Sequence, residues 1–295
     1  MSVLLPTTVG EAVAALADPA VEVLAGGTDF MVEVNAGRRR PEQVLSVGRI
    51  AELRAWSHTP SEVRLGAAVT YTDLLQPAVA MHLPALAQAA RTVGSPQIRN
   101  AGTIGGNLAT ASPAGDTLPV LSALEAIVEV AWAGGVRDIP IGAFITGAKR
   151  NALRPGELIV AVRIPVLAGH QEFRKIGVRN AMVISVASVA LALDRRTRTV
   201  RCALGSVGPG PIRATTAEAW LAAAIDWDGL ASPAGSASAP PAGVTPPDLA
   251  HFGRLVAGDA RPIDDHRGTA AYRRHAVAVL AERSATQALA ASAAA

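Results

Sequence analysis

Short apolar runs alternate with glycine, proline and polar clusters along the whole chain, and helical spacing alternates with strand-like runs. Residues 9–17 carry an amphipathic helix pattern with Thr7 or Thr8 at its cap, and Glu11 completes a capping box. Asp18-Pro19 ends that helix, and 21–24 (VEVL) reads as a short buried strand. The glycine pair at 26–27 separates it from a helix at 30–35. A strand is expected at 44–47, a short helix at 50–56 and a strand at 63–67. Thr70 and Thr72 are placed to cap a helix with Asp73 in its first turn, and 83–93 is strongly amphipathic. A helix at 117–124 precedes a strand at 126–132, which turns at Gly134-Gly135 into a hairpin with 136–139. A further strand, 158–164, ends at Pro165. Beyond it, 173–178, 183–194 and 199–207 form a three-stranded antiparallel pattern, followed by helices at 214–224, 249–257 and 269–283. Asp264 or Asp265 is placed to cap the last, and the alanine-rich tail from Ala285 is expected to fray.

This sequence of elements is α+β: one part to about 165, and a smaller sheet-and-helix part from about 170. Residues 231–247 (ASPAGSASAPPAGVTPP) have the composition of a flexible surface loop.

The densest candidate chemistry lies in 99–124, RNAGTIGGNLATASPAGDTLPVLSAL. It carries Gly102, Gly105, Gly106 and Gly115, with Thr103, Asn107, Thr110, Ser112 and Asp116 between them. Paired glycines let a backbone approach a ligand closely, and consecutive N–H groups in such a turn can hold an anion. Two readings stand: a nucleotide diphosphate site, or a plain turn between strand and helix. The segment Ala25-Gly26-Gly27-Thr28-Asp29 is a second such cradle, without the spacing of a dinucleotide fingerprint. Asp29 and Asp116 could each cap the helix that follows, and Lys175 could be an ordinary strand lysine.

Composition narrows the choice. Net charge is +3 over 295 residues, the one basic block is Arg38-Arg39-Arg40, and aromatics make up 3%. Nothing here favours nucleic acid. Cys202 is the single cysteine, so this chain can form no internal disulfide and hold no thiolate cluster. The six histidines show no metal-ligand spacing, and there is no G-x-S-x-G elbow or Walker A ending. The start of the chain lacks a basic n-region, and no apolar run reaches membrane-spanning length, so a cytoplasmic protein is expected. Two anion cradles without a nucleophile suit a bound redox cofactor, which brings its own reactive atom.

The two cradles in order, LAGGTDF at 24–30 and RNAGTIGGNLATASPAGDTLPVL at 99–121, resemble the FAD-binding subunit of the molybdenum hydroxylases, the xanthine dehydrogenase and carbon monoxide dehydrogenase type. FRKIGVRNAMVISVASVALAL at 173–193, GSVGPGPIRATTAE at 205–218 and DDHRGTAAYRR at 264–274 are similar to its C-terminal domain. The resemblance implies a two-lobed vanillyl-alcohol-oxidase-type FAD domain (lobes 1–55 and 56–168), a small C-terminal domain (169–287) and a tail (288–295). It implies non-covalent FAD held by Leu24, Ala25, Gly26, Gly27, Thr28 and Asp29 on one side. Thr103, Ile104, Gly105, Gly106 and Asn107 would close the other, with Thr110 and Asp116 nearer the flavin or ribitol, and Ile159 and Lys175 also reaching the cofactor. It further implies partner subunits carrying the molybdenum cofactor and [2Fe-2S] clusters, in a dimer of heterotrimers. FAD would take electrons from the iron–sulfur subunit and pass them to an external acceptor. Methionine at 182, where some xanthine dehydrogenases carry an acidic residue, weakens NAD as that acceptor. The ATASPAGD segment favours an aromatic N-heterocycle, such as a purine, as substrate of the complex. A stand-alone flavin oxidase and a nucleotide-binding assembly protein are the alternatives.

Overall fold

The computed structural model describes residues 2–228 and 247–294. All but Pro247 of the expected loop at 231–247 lies outside the described residues.

The first sheet is wholly parallel, with Gln43–Ser46 between Ser2–Leu4 and Val21–Leu24. Parallel neighbours need crossover connections, and the helices Val9–Ala15 and Phe30–Asn35 supply them. Thr8 caps the first helix, its Oγ1 accepting from the Glu11 amide at 3.1 Å. The Glu11 carboxylate reaches back to the amide of Thr7 at 2.7 Å, one residue earlier than a capping box would place it. Ala12, Val13, Leu16, Val21, Leu45 and Val47 form this layer's core.

The second sheet is antiparallel, ordered Trp56–His58, Glu62–Gly66, Leu158–Pro165, Ile127–Trp132, Gly135–Pro140. The hairpin at Gly134-Gly135 forms as expected. The helix expected at 50–56 is a single turn, Ala51–Arg54, because Trp56 pairs with Leu65 in the sheet instead. The turn at 70–75 is also shorter than expected: Thr70 Oγ1 accepts from the Asp73 amide at 3.1 Å and a 3₁₀ turn, Asp73–Leu75, follows. Val63, Leu65, Val128, Val130 and Val162 from this sheet share a core with Leu86, Ala90, Ile104, Leu108 and Leu121 from helices. Among its polar side chains, Arg64 and Arg163 both grip Glu129, at 2.7 and 2.9 Å.

The third sheet has four strands rather than three: Gly169–Ile176, Ala187–Asp194, Thr199–Gly205 and the two-residue Ile212–Arg213. The central strand begins at Ala187, not 183, since 183–186 belongs to the preceding loop, where Met182 has φ +50°. Every residue of Ala187–Asp194 is buried. Ala190 and Ala192 face the core of the second sheet, while Val189, Leu191 and Leu193 pack under the C-terminal helices. Cys202 lies in that second cluster, fully buried; burial, then the charge of Glu218, pushes its thiol well above the usual range.

The last helix runs Ala270–Ala294, past the expected end at 283 and through the supposedly frayed tail. Ala281, Ala285 and Ala288 have no exposed surface. They sit in one core with Phe252 and Val256 of helix Leu249–Asp259. The two helices cross closely enough that a Cβ on Gly253 would come within 2.7 Å of the Ala278 carbonyl oxygen.

Candidate functional site

The strand Val21–Leu24 ends where its backbone leaves the parallel sheet, and Ala25 to Asp29 turn into the helix Phe30–Asn35. Gly27 has φ +73°, a conformation that favours glycine. Gly26 is required for packing: a Cβ there would lie 1.7 Å from the Ala101 carbonyl oxygen. The turn thus rests on the 101–102 peptide. Among the described residues, no group accepts a hydrogen bond from the main-chain N–H of Ala25, Gly26, Gly27 or Thr28. All four residues are half-buried, so these donors are open to a ligand in the turn's concave face.

The opposing element is a helix rather than the expected open loop. Thr103 caps Ile104–Thr110, its Oγ1 accepting from the Gly106 amide at 3.0 Å. The amides of Ile104 and Gly105 donate to Val69 and Ala67 carbonyls at 3.0 and 2.9 Å. A Cβ on Gly105 would strike the Ala67 oxygen at 2.6 Å, so this glycine serves the contact between helix and sheet. With the Asn107 amide donating to the Thr103 carbonyl at 3.0 Å, the amides of 104–107 are therefore taken. What this side offers is the bare Cα of Gly106 and the side chains of Thr103, Asn107 and Thr110.

Two clefts meet here and share Ala25 and Gly106. The polar one is lined by 25–30 with Tyr71, Thr103, Asn107 and Thr110. The apolar one is lined by Val23, Val47, Ala67, Gly105, Leu158 and Ile159 among others. Gly27 and Gly106, 79 positions apart in the chain (106 − 27), thus face one crevice. Asp29 is exposed at its lip and does not cap the helix; its Oδ2 accepts from the Thr110 hydroxyl at 3.2 Å.

Leu24, Ile104, Asp116 and Lys175 line neither cleft. Ile104 points into the core. Asp116 does not cap the helix Thr117–Ala123. Its carboxylate instead takes the Lys175 ammonium at 2.6 Å, with hydroxyls from Ser185 and Thr92. The two charged side chains are 6% and 10% exposed. Burial raises the Asp116 carboxyl, and Lys175, Ser185 and Thr92 oppose that. Lys175 also donates to the carbonyls of Thr92 and Val183, so one amine ties three segments together. Asn107 links this region to the polar cleft: its Oδ1 accepts from the Thr117 hydroxyl.

Three participants carried no local signal in the sequence. Tyr71 enters the cleft beneath Gly102, and Ser185 reaches Asp116 from 69 residues away. Glu157 lines the apolar cleft, held by Arg137 through two contacts of 2.8 Å. The Arg137 hydrogen bond outweighs burial and holds the Glu157 carboxyl below its ordinary value. A lowered carboxyl adds stability that is present above the unfolded value, about pH 4.3, and lost as pH falls through the folded one. Thermal melts of Glu157→Gln between pH 3 and 7 should therefore show a shallower acid-side decline than the unaltered chain. An identical slope would mean the pair contributes nothing.

Among the described residues, no three histidine, cysteine, aspartate or glutamate side chains cluster to hold a metal. No described helix is long and apolar enough to cross a membrane. Residues 1–167 match the family described as FAD binding domain in molybdopterin dehydrogenase. The glyceraldehyde dehydrogenase medium chain of Sulfolobus acidocaldarius is 32% identical over 87% of this chain and 86% of its own. The xanthine dehydrogenase FAD-binding subunit of Escherichia coli O157:H7 is 34% identical over 72% and 75%. A solved carbon monoxide dehydrogenase from Hydrogenophaga pseudoflava superposes with a TM-score of 0.83 at 29% identity, covering 98% of this chain and 97% of that one. From the mixed helix-and-sheet fold, the shared crevice and these likenesses together, the chain belongs to the FAD-binding family of the molybdopterin dehydrogenases.

Proposed function

We propose that this chain is the FAD-binding, electron-transferring subunit of a molybdenum hydroxylase complex. The observation that carries the reading is the row of four unaccepted amides, Ala25 to Thr28, facing the bare Gly106 across one crevice. A diphosphate fits that geometry: it needs donors, close backbone approach and no side chain in the way. The adjoining apolar cleft, with Val23, Val47, Ala67 and Ile159, suits a flat ring system of the same cofactor. When bound, FAD supplies the redox centre. The chain's own residues bind and orient it. Ala25 to Thr28 donate to the diphosphate, and Thr103, Asn107 and Thr110 add side-chain contacts. Asp29, a carboxylate at the lip, suits a sugar hydroxyl, since a phosphate there would meet like charge.

The lobes 1–55 and 56–168 would enclose the cofactor, with 169–287 as the C-terminal domain and the Asp116–Lys175 pair as the tie between them. Iron–sulfur and molybdenum-binding subunits are the proposed partners, in a dimer of heterotrimers. The relatives include enzymes named for a purine and for a triose, so substrate choice belongs to another subunit. A purine-like aromatic N-heterocycle is the class favoured by the ATASPAGD segment.

Several charge-assisted hydrogen bonds, each worth roughly 1.5–3 kcal/mol, support tight binding without a covalent link. The purified chain should show flavin absorption bands, and all of that flavin should leave the polypeptide on denaturation. A yellow band that stays with the chain on a denaturing gel would refute the non-covalent reading; a colourless chain that takes up no added FAD would refute the function.

A further inference from the structure

We infer that the hydroxyl of Tyr71 is a direct ligand of the bound cofactor, donating a hydrogen bond to a non-bridging oxygen of its diphosphate. This deepens the FAD reading and rests on it. Tyr71 is 5% exposed as a residue, no group among the described residues bonds its hydroxyl, and that oxygen is not one of the enclosed side-chain atoms left without a partner, so it keeps access to solvent. A free phenol hydroxyl at the wall of a cleft is a donor that an entering ligand can use. Tyr71 lines the polar cleft together with the four unaccepted amides, so its hydroxyl and those donors serve one place.

The ring is positioned rather than loose. Its amide donates to the Gly102 carbonyl at 3.0 Å. Gly102 has no side chain because a Cβ there would lie 2.7 Å from Tyr71 Cε2. The same 101–102 peptide carries Gly26 on its other side, 3.0 Å from Gly102 N to the Cβ position of Gly26. Tyr71 and the amide turn therefore both pack against residues 101–102. Burial first, then the charges of Asp29 and Asp116, raises the phenol above its ordinary value. It stays a neutral donor across the working range and adds no negative charge beside a diphosphate. Asp29 accepts from the Thr110 hydroxyl, and no hydrogen bond joins it to Tyr71.

The test is isothermal titration of the full chain with FAD, ADP and adenosine, for the unaltered protein and Tyr71→Phe. Loss of one hydrogen bond to a charged group predicts FAD and ADP binding weakened about tenfold to a hundredfold, with adenosine unchanged. If the unaltered chain binds neither FAD nor ADP, the flavin reading fails and this inference with it. If it binds both and Tyr71→Phe binds them equally well, the flavin reading stands and the role of Tyr71 is overturned. A loss equal for adenosine and ADP overturns the diphosphate assignment. A second readout needs no variant. The chain has two tyrosines, so ¹³Cζ-labelled tyrosine gives two signals. The Tyr71 signal should move on adding ADP and not on adding adenosine, while that of Tyr272, 44% exposed, stays in place. An unmoved Tyr71 signal in the presence of bound ADP would sink the contact.

Discussion

Gly106→Val should abolish useful FAD binding while leaving the chain folded. Gly106 sits in the first turn of its helix, where both clefts meet. A Cβ there would find the Thr103 Oγ1 at 3.0 Å and the Ala25 Cβ at 3.8 Å, a tight but tolerable fit. Valine is no worse than glycine as a helix former, so the melting temperature should change by only a few degrees. Its branched side chain, however, fills the gap a diphosphate must enter. Displacing the cofactor enough to break two charge-assisted hydrogen bonds weakens binding at least about a hundredfold. Flavin content after purification and direct titration measure this. Unchanged FAD content would remove Gly106 from the site. Gly26→Ala would not serve the same purpose, because its Cβ collides with the Ala101 carbonyl and damages the fold itself.

Lys175→Met should lower the melting temperature by roughly 10 °C. The substitution strands the Asp116 carboxylate in a site where it is 6% exposed. Breaking a buried pair by removing one partner costs about 3–5 kcal/mol, and each kcal/mol shifts a chain near this size by about 2–4 °C. The loss should depend on pH with a definite sign. Burial raises the Asp116 carboxyl in the folded state, and without Lys175 it rises further. A raised carboxyl destabilises little below its unfolded value, about pH 3.9, and more as pH climbs towards the folded one. The gap between variant and unaltered chain should therefore widen from pH 4 upward. Adding Asp116→Leu should recover much of the loss, because no buried charge is then left unpaired. Equal melting temperatures for Lys175→Met and the unaltered chain would show that the pair does not hold the domains together.

Several elements were readable because one short stretch carried the whole signal. The strand at Val21–Leu24, the hairpin about Gly134-Gly135 and the helix Pro84–Thr92 each follow from local periodicity and turn residues. The helix Ile104–Thr110 was hidden, since Gly105-Gly106 disfavours a helix locally. Thr103's cap and the seat of Gly105 on Ala67 override that preference. The strand Ile212–Arg213 was too short to show a period. The alanines at 285 and 288 look like a frayed tail until the helix Leu249–Asp259 and the third sheet are placed against them.

By itself the sequence determined that two glycine pairs stand in the chain, which polar residues are beside them, and that no thiolate cluster can form in this chain. Those are properties of composition and of a few adjacent residues. Tertiary structure alone decided which turn keeps its amides free, that Asp116 spends its charge on Lys175, and that Tyr71 stands in the cleft. Each of those depends on groups far apart along the chain, whose hydrogen-bond partners are fixed only once the sheets and helices have packed.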